Sequence, residues 1–174
     1  MTVRDLLMQL ATMGFYRAKW TVAIQDEWVR ALLERRPDLD EDNLKRTQSL
    51  MNEAVPDCLV TGYEPLIGSI ELPDPGDRHV VAAAIKANAD VIVTYNLKDF
   101  PNAALNRHGI EAQHPYVFLT HALDLSRGSV CEAVKRCRKR NKNPAYSITD
   151  YLSVLQRSEL TQFVSDLSEF AEIL

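Results

Sequence analysis

Residues 77–100, DRHVVAAAIKANADVIVTYNLKDF, carry the clearest fold signal in the sequence. The first half of this stretch, up to residue 88, is apolar on nearly every side, which predicts a helix that is buried on most of its faces. Residues 90–95 follow directly as a β-branched run without polar alternation, which is typical of a parallel strand covered on both faces. A helix that leads straight into a buried strand indicates α/β layering with a parallel sheet.

Helix signals flank this stretch on both sides. Caps, prolines and apolar spacing of i, i+3 and i+4 predict further helices over residues 3–13, 21–36, 40–54, 115–123, 128–140, 147–156 and 160–174. Short β-rich runs predict additional strands at residues 15–19, 57–61 and 109–113. The last helix is amphipathic, so its apolar face needs a cover, which is either this chain's own core or a partner.

Length and composition place the chain among globular proteins. It has 174 residues, of which 46% are hydrophobic and 25% are charged, close to the average of folded domains. Its apolar runs are far shorter than the ~20 residues that a membrane span needs, and the N-terminus lacks a signal-peptide pattern. Three cysteines without metal-ligand spacing argue against a disulfide framework and a cysteine zinc site. We therefore expect a cytoplasmic protein with no membrane association.

The charge is unevenly distributed along the chain. The net charge is −4, yet residues 127–142 carry seven cations against a single glutamate. Such a dense basic run can contact phosphate or an acidic partner. It can also be a solvated helix end, where cations suit the helix dipole. Both interpretations stay open from the residues alone.

Three acidic residues occupy positions that favour a role in a site. Glu27 has alanines four residues away on either side, which leaves room beside its carboxylate. Asp77 opens the apolar helix, and Asp99 follows the buried strand, where α/β folds bind ligands. Each also has a plain alternative, since Asp77 can cap the helix, Glu27 can be solvated and Asp99 can start a turn.

Taken together, these carboxylates suggest a site for a hard divalent cation. Mg²⁺ and Mn²⁺ prefer carboxylate and water ligands, and such ions usually act on phosphate groups. Thr94 and Asn96 leave the same strand end and can orient their neighbours by hydrogen bonds. The four histidines form no motif, and His79 stands two residues from Asp77, on a different helix face.

Two segments resemble a known family. LPDPGDRHVVAAAIKANADVIVTYNLKDFP (72–101) and WTVAIQDEWVRALLERRPDL (20–39) are similar to the PIN domain, and more narrowly to the VapC-like toxins of bacterial type II toxin–antitoxin systems. The motifs are Asp-x-x-Asp followed by Ala after six residues, and Thr-x-Asn-x-x-Asp-Phe. They are fairly specific as a pair.

The resemblance implies a three-layer α/β/α sandwich with a parallel sheet over residues 1–123 and a C-terminal helical extension over 124–174. It implies a Mg²⁺- or Mn²⁺-dependent endoribonuclease that a cognate antitoxin restrains, commonly as a homodimer. Asp77 and Asp99 would be metal ligands, and Glu27 would hold the ion directly or through water, or help to deprotonate the attacking water. Thr94 and Asn96 would shape the strand end. The residues that would contact the RNA backbone are Lys135, Arg136, Arg138, Lys139, Arg140 and Lys142.

One departure from the family pattern leaves the activity open. In PIN domains a hydrophobic strand that ends in an acidic metal ligand comes first, whereas MTVRDLL resembles the helix after it. Asp5 is the nearby acidic residue, and its place in a first helical turn favours a structural role. Three hypotheses stay open: the chain is a shortened nuclease, or a partner or second copy supplies the strand, or the chain is a catalytically impaired remnant that binds an antitoxin or RNA without cleaving it.

Overall fold

The computed structural model describes residues 3–142, 145–157, 160–171 and 174. The α-helices of this part of the chain are α1 (Val3–Thr12), α2 (Val22–Arg35), α3 (Glu41–Ala54), α4 (Arg78–Lys86), α5 (Asn102–Leu105), α6 (Pro115–Leu125), α7 (Arg127–Arg140), α8 (Ile148–Gln156) and α9 (Thr161–Ser168). The strands are β1 (Val91–Val93) and β2 (Glu111–Gln113). Short 3-10 turns cover Glu64–Ser69, Pro75–Asp77, Leu97–Asp99 and Asn106–His108.

The two strands pair in parallel. The backbone N–H of Glu111 donates to the carbonyl of Asp90, and that of Thr94 donates to the carbonyl of Gln113, each at 2.9 Å. Residue numbers rise in both strands from the first of these hydrogen bonds to the second, so the two strands are parallel. The predicted α/β class with a parallel sheet is therefore confirmed.

Cap residues fix the starts of the predicted helices. The Thr21 hydroxyl accepts from the Ile24 N–H at 3.1 Å at the start of α2. Asp40 accepts from the Asn43 N–H at 3.0 Å before α3, and Ser147 caps α8 in the same way. Each cap satisfies an N–H that has no partner inside the helix.

The strands predicted at 15–19 and 57–61 were wrong. The structure has an isolated parallel bridge there, between Trp20 and Leu59. It cannot extend, because Thr21 already caps α2 on one side and Gly62 takes a left-handed φ of +68° on the other. The strand predicted at 109–113 is confirmed as β2, which starts two residues later because Gly109 is also left-handed.

Contacts divide the chain into two compact units. Unit 1 comprises Met1–Tyr16, Val93–Tyr95 and Gln113–Leu174, and unit 2 comprises Arg17–Ile92 and Asn96–Ala112. The predicted division into residues 1–123 and 124–174 stays a prediction.

Unit 1 has a helical core. α1, α6, α7, α8 and α9 contribute side chains to one apolar cluster. The apolar face of α9 lies in it, with Phe163 and Leu167 fully buried, so this unit's own core covers that face. Arg138 on α7 donates to the carbonyls of Leu174 and Tyr146 at 3.1–3.2 Å. Within the described helices, none is long and apolar enough to cross a membrane.

The core of unit 2 includes apolar side chains of residues 77–100. α4 buries Val81 and the alanines that follow it, and they pack with Ile92 of β1 and with Phe100. The expected burial is confirmed for α4. It is confirmed only in part for the strand, where Ile92 is buried between half-buried Val91 and Val93. As a result, α4 and the segment after β1 have fixed positions in the same small core.

The burial of α6 makes a stability prediction. Leu119 is fully buried, whereas Leu125 at the end of the same helix is 79% exposed. We expect Leu119→Ala to lower the free energy of unfolding by about 2–5 kcal/mol, because it leaves a cavity in the core. Leu125→Ala should change it by less than about 0.5 kcal/mol. Urea unfolding of both variants measures this, and equal effects would contradict the described core.

Candidate metal centre

Three aspartates converge in unit 2. One carboxylate oxygen from each of Asp74, Asp77 and Asp99 lies within 4.8 Å of the others. Asp74 is exposed, and the other two are half-buried. Sequence reasoning named Asp77 and Asp99 and the structure brings them together, while Asp74 was missed.

A tight turn places the first two carboxylates. The Asp74 side chain accepts from the Gly76 N–H at 2.7 Å and so starts the turn Pro75–Asp77. Asp77 then stands at the start of α4, yet its side chain makes no capping hydrogen bond. Asp77 is therefore the N-cap residue by position, but its side chain does not cap the helix, and its carboxylate is available for other contacts.

The third carboxylate is held by an amide. Asp99 ends the turn Leu97–Asp99 that follows β1. The Asn96 side-chain N–H donates to its Oδ2, so Asn96 orients a neighbour, as its position predicted. Since Asn96 and Asp99 belong to the same turn, the contact is local and depends little on the rest of the fold.

Burial, and then the neighbouring carboxylates, raise the pKa of Asp77. Partial burial is the largest cause of its raised pKa, and the charges of Asp74, Asp99 and Glu27 add to it. His79 acts in the opposite direction. Charge repulsion of this kind is what a bound cation relieves.

Glu27 stands beside this group rather than within it. It lies on α2 with 48% of its side chain exposed, and its Oε1 is 3.1 Å from His79 Nε2. Its charge still acts on Asp77. The predicted site residues Glu27, Asp77 and Asp99 thus share one neighbourhood, and their chemical roles stay predictions.

Sequence reasoning missed Asp74 and His79. A signal for Asp74 was present, because it is the first aspartate of the Asp-x-x-Asp motif. It stands in a loop rich in proline and glycine, where periodicity gives no information. His79 carried no motif, and its pairing with Glu27 depends on tertiary packing.

The other predicted residues lie in unit 1. Thr94 follows β1, and its backbone N–H continues the sheet. On α7, Lys139 and Arg140 are exposed, whereas Arg136 pairs with Glu132 at 2.7 Å. Asp5 is an ion-pair partner of its neighbour Arg4 at 3.2 Å.

Comparison with known proteins decides the family. Residues 2–98, more than half of the chain, match the PIN domain. The chain belongs to the PIN domain family. The C-terminal part of this PIN protein, residues 115–169, matches the VapC50 C-terminal domain, so the resemblance to VapC-like toxins is confirmed.

A relative that bears the VapC name supports the same family assignment. The PIN protein is 44% identical over 81 residues to "Putative ribonuclease VapC50" of Mycobacterium tuberculosis, which is 44% of this chain and 47% of that protein. The match thus spans about half the length of that relative. No solved structure matches the chain significantly.

The raised pKa of Asp77 predicts how stability depends on pH. Because the folded state binds this proton more tightly than the unfolded chain, the carboxyl favours folding at low pH. That contribution is lost as the pH rises through the folded-state pKa. In EDTA at pH 7, Asp77→Asn should therefore raise the free energy of unfolding. The gain should shrink as the pH falls to about 4, which thermal unfolding measures.

A metal titration completes that test. Mn²⁺ at 100 times its Kd should stabilise the wild type by about 2.7 kcal/mol, and should stabilise Asp77→Asn much less. Asp124→Asn removes an exposed carboxylate of unit 1 and is the matched control. Equal Mn²⁺ stabilisation of wild type and Asp77→Asn would contradict a metal centre at this group.

Proposed function

We propose that this PIN protein is a Mg²⁺- or Mn²⁺-dependent endoribonuclease and the toxin of a toxin–antitoxin pair in the cytoplasm. The observation that carries the proposal is the group of three aspartate carboxylates within 4.8 Å in a PIN domain. The name of the relative, which describes it as a ribonuclease, supports the same activity. The three-layer α/β/α arrangement belongs to this proposal.

The residues present fit such an ion. All three donors are carboxylate oxygens, the ligand type that Mg²⁺ and Mn²⁺ prefer over nitrogen and sulfur. The partial burial of Asp77 and Asp99 limits competition from water. Asp74, Asp77 and Asp99 would hold the ion, and Asn96 would keep Asp99 turned towards it.

The reaction is hydrolysis of a phosphodiester bond. When bound, a divalent cation supplies charge neutralisation at the phosphate and lowers the pKa of water. Glu27 stands beside the aspartates with an exposed carboxylate, so it can orient the attacking water and accept its proton at Oε2. The neutral amide of Asn96 leaves the local negative charge undiminished, which favours cation binding.

α7 offers a surface for the RNA backbone. Its apolar face, including Val130 and Val134, is buried in unit 1, while Arg136, Lys139 and Arg140 are exposed. We propose that Lys135, Arg136, Lys139, Arg140 and Lys142 contact phosphates, which dominate the affinity for nucleic acid. Arg138 is a weaker candidate, because its guanidinium is used on two backbone carbonyls.

A cognate antitoxin and a second copy of the chain are the further partners of this proposal. The toxin assignment rests on the matches to the PIN domain and to the VapC50 C-terminal domain. An antitoxin with an acidic segment would suit the same cations of α7. RNA and antitoxin would then compete for one surface.

RNA cleavage by the purified chain tests the activity. A mixed RNA pool should be cut with Mn²⁺ and left intact with EDTA. Asp77→Asn should lower the cleavage rate about 10²–10⁴-fold, because it removes a carboxylate from the reacting centre, while Asp124→Asn should cleave like wild type. The readout is the rate of product formation on a denaturing gel.

The opposite result favours the competing hypothesis. If the folded chain binds Mn²⁺ and RNA but never cuts, it acts as a binding module rather than a nuclease. If Asp77→Asn cleaves at the wild-type rate, the aspartates have no part in the reaction.

The α7 surface makes a separate prediction. The double variant Lys139→Gln/Arg140→Gln should weaken RNA binding. It should also reduce the slope of log K against log salt by about 0.7 for each lost phosphate contact to single-stranded RNA. Lys45→Gln removes an exposed cation of α3 that pairs with Glu41 and serves as control. Fluorescence anisotropy at several salt concentrations gives both slopes, and an unchanged slope would exclude this surface.

A further inference from the structure

We propose that His79 is a positioning residue whose imidazole holds the Glu27 carboxylate beside Asp74, Asp77 and Asp99. This inference rests on the proposed function, since a nuclease centre is what gives Glu27 a task. It assigns His79 neither a ligand role nor a proton-transfer role. It concerns where Glu27 is held.

The geometry makes His79 the fixed partner of the pair. Its Nε2 lies 3.1 Å from Glu27 Oε1, with 12% of the histidine side chain exposed and 48% of the glutamate. The imidazole on α4 is therefore confined by packing, whereas the carboxylate on α2 has room to move. Through this contact α2 is joined to the segment that carries Asp77.

The imidazole also needs a partner. Among the described residues, neither of its ring nitrogens makes an aligned hydrogen bond, although both atoms are buried. Buried polar atoms in folded proteins nearly always find one. Glu27 Oε1 lies within hydrogen-bond distance of Nε2 without the alignment of a hydrogen bond, and rotation of this exposed carboxylate can supply that alignment.

Electrostatics explain why Glu27 needs to be held. It is a fourth carboxylate beside three others, and its charge acts on Asp77 in the same sense as theirs. Repulsion would drive a half-exposed glutamate towards water. His79 opposes that effect at Asp77 and offers a nearby N–H, so the pair keeps Glu27 in place.

Two amide variants separate positioning from packing. His79→Gln places its amide nitrogen near the position of Nε2, whereas His79→Asn places it near Nδ1. Hence Gln should keep most of the activity, while Asn and Ala should lower kcat about 10–100-fold with KM for RNA unchanged. Equal activity of the Gln and Asn variants would overturn the proposal.

A double-mutant cycle gives the second criterion. Because His79 acts through Glu27, His79→Ala should cost nothing further in a Glu27→Ala background. The Kd for Mn²⁺ alone should likewise be the same in Glu27→Ala and in the double variant. Additive losses would show that His79 acts on the fold or the metal site directly, and would refute the assignment.

A spectroscopic test needs no activity. The ¹⁵N resonance of the His79 ring should shift on Glu27→Gln and stay unchanged on Glu34→Gln, an exposed glutamate of the same helix. An unchanged ¹⁵N resonance of His79 in the Glu27→Gln variant would disprove the pairing. If the wild type cuts no RNA under any condition, the proposed function fails, and this spectrum with the Mn²⁺ titration still decides the role of His79.

Discussion

Apolar packing of residues 77–100 holds three mutually repelling carboxylates close together, and the candidate site of unit 2 depends on this packing. Asp74, Asp77 and Asp99 would separate if they were free, and their closeness is imposed by the backbone. The turn at Pro75 fixes the first two, and the buried helix α4 with the strand β1 fixes the third relative to them. The apolar packing of residues 77–100 therefore maintains an arrangement that is unfavourable without a cation. Such stored unfavourable interaction is typical of sites that bind a ligand.

The sequence predicted the parts whose signals are local or periodic. The apolar run of α4 and the β-branched run of β1 could be recognised because neither is interrupted by regularly alternating polar residues. Thr21 and Asp40 could be placed as caps because the preference is chemical and local. The strand predicted at residues 57–61 was wrong for a tertiary reason, because Trp20, with which this segment pairs, is followed at once by a helix.

The same distinction applies to the candidate site. Asp77 and Asp99 were found because helix starts and strand ends are recognisable in a sequence. Asp74 was overlooked because its carboxylate is aimed by an Asp-Pro-Gly turn rather than by a periodic element. The neighbourhood of Glu27 and His79 lay beyond sequence reasoning, because it depends on how α2 packs near α4. Arg138 is the opposite case. The sequence suggested a place on a basic surface, but its guanidinium donates hydrogen bonds to two backbone carbonyls.

The three cysteines are free and buried, Cys58 in unit 2 and Cys131 with Cys137 in unit 1. Burial raises the pKa of the Cys137 thiol to about 11, so almost none of it is thiolate at neutral pH, and the thiolate is the form that reacts. A thiol reagent can therefore modify Cys137 only after the surrounding structure has opened. The native chain thus carries intrinsic reporters in both units, and the rate at which each thiol is labelled measures the opening of its own unit without an engineered cysteine.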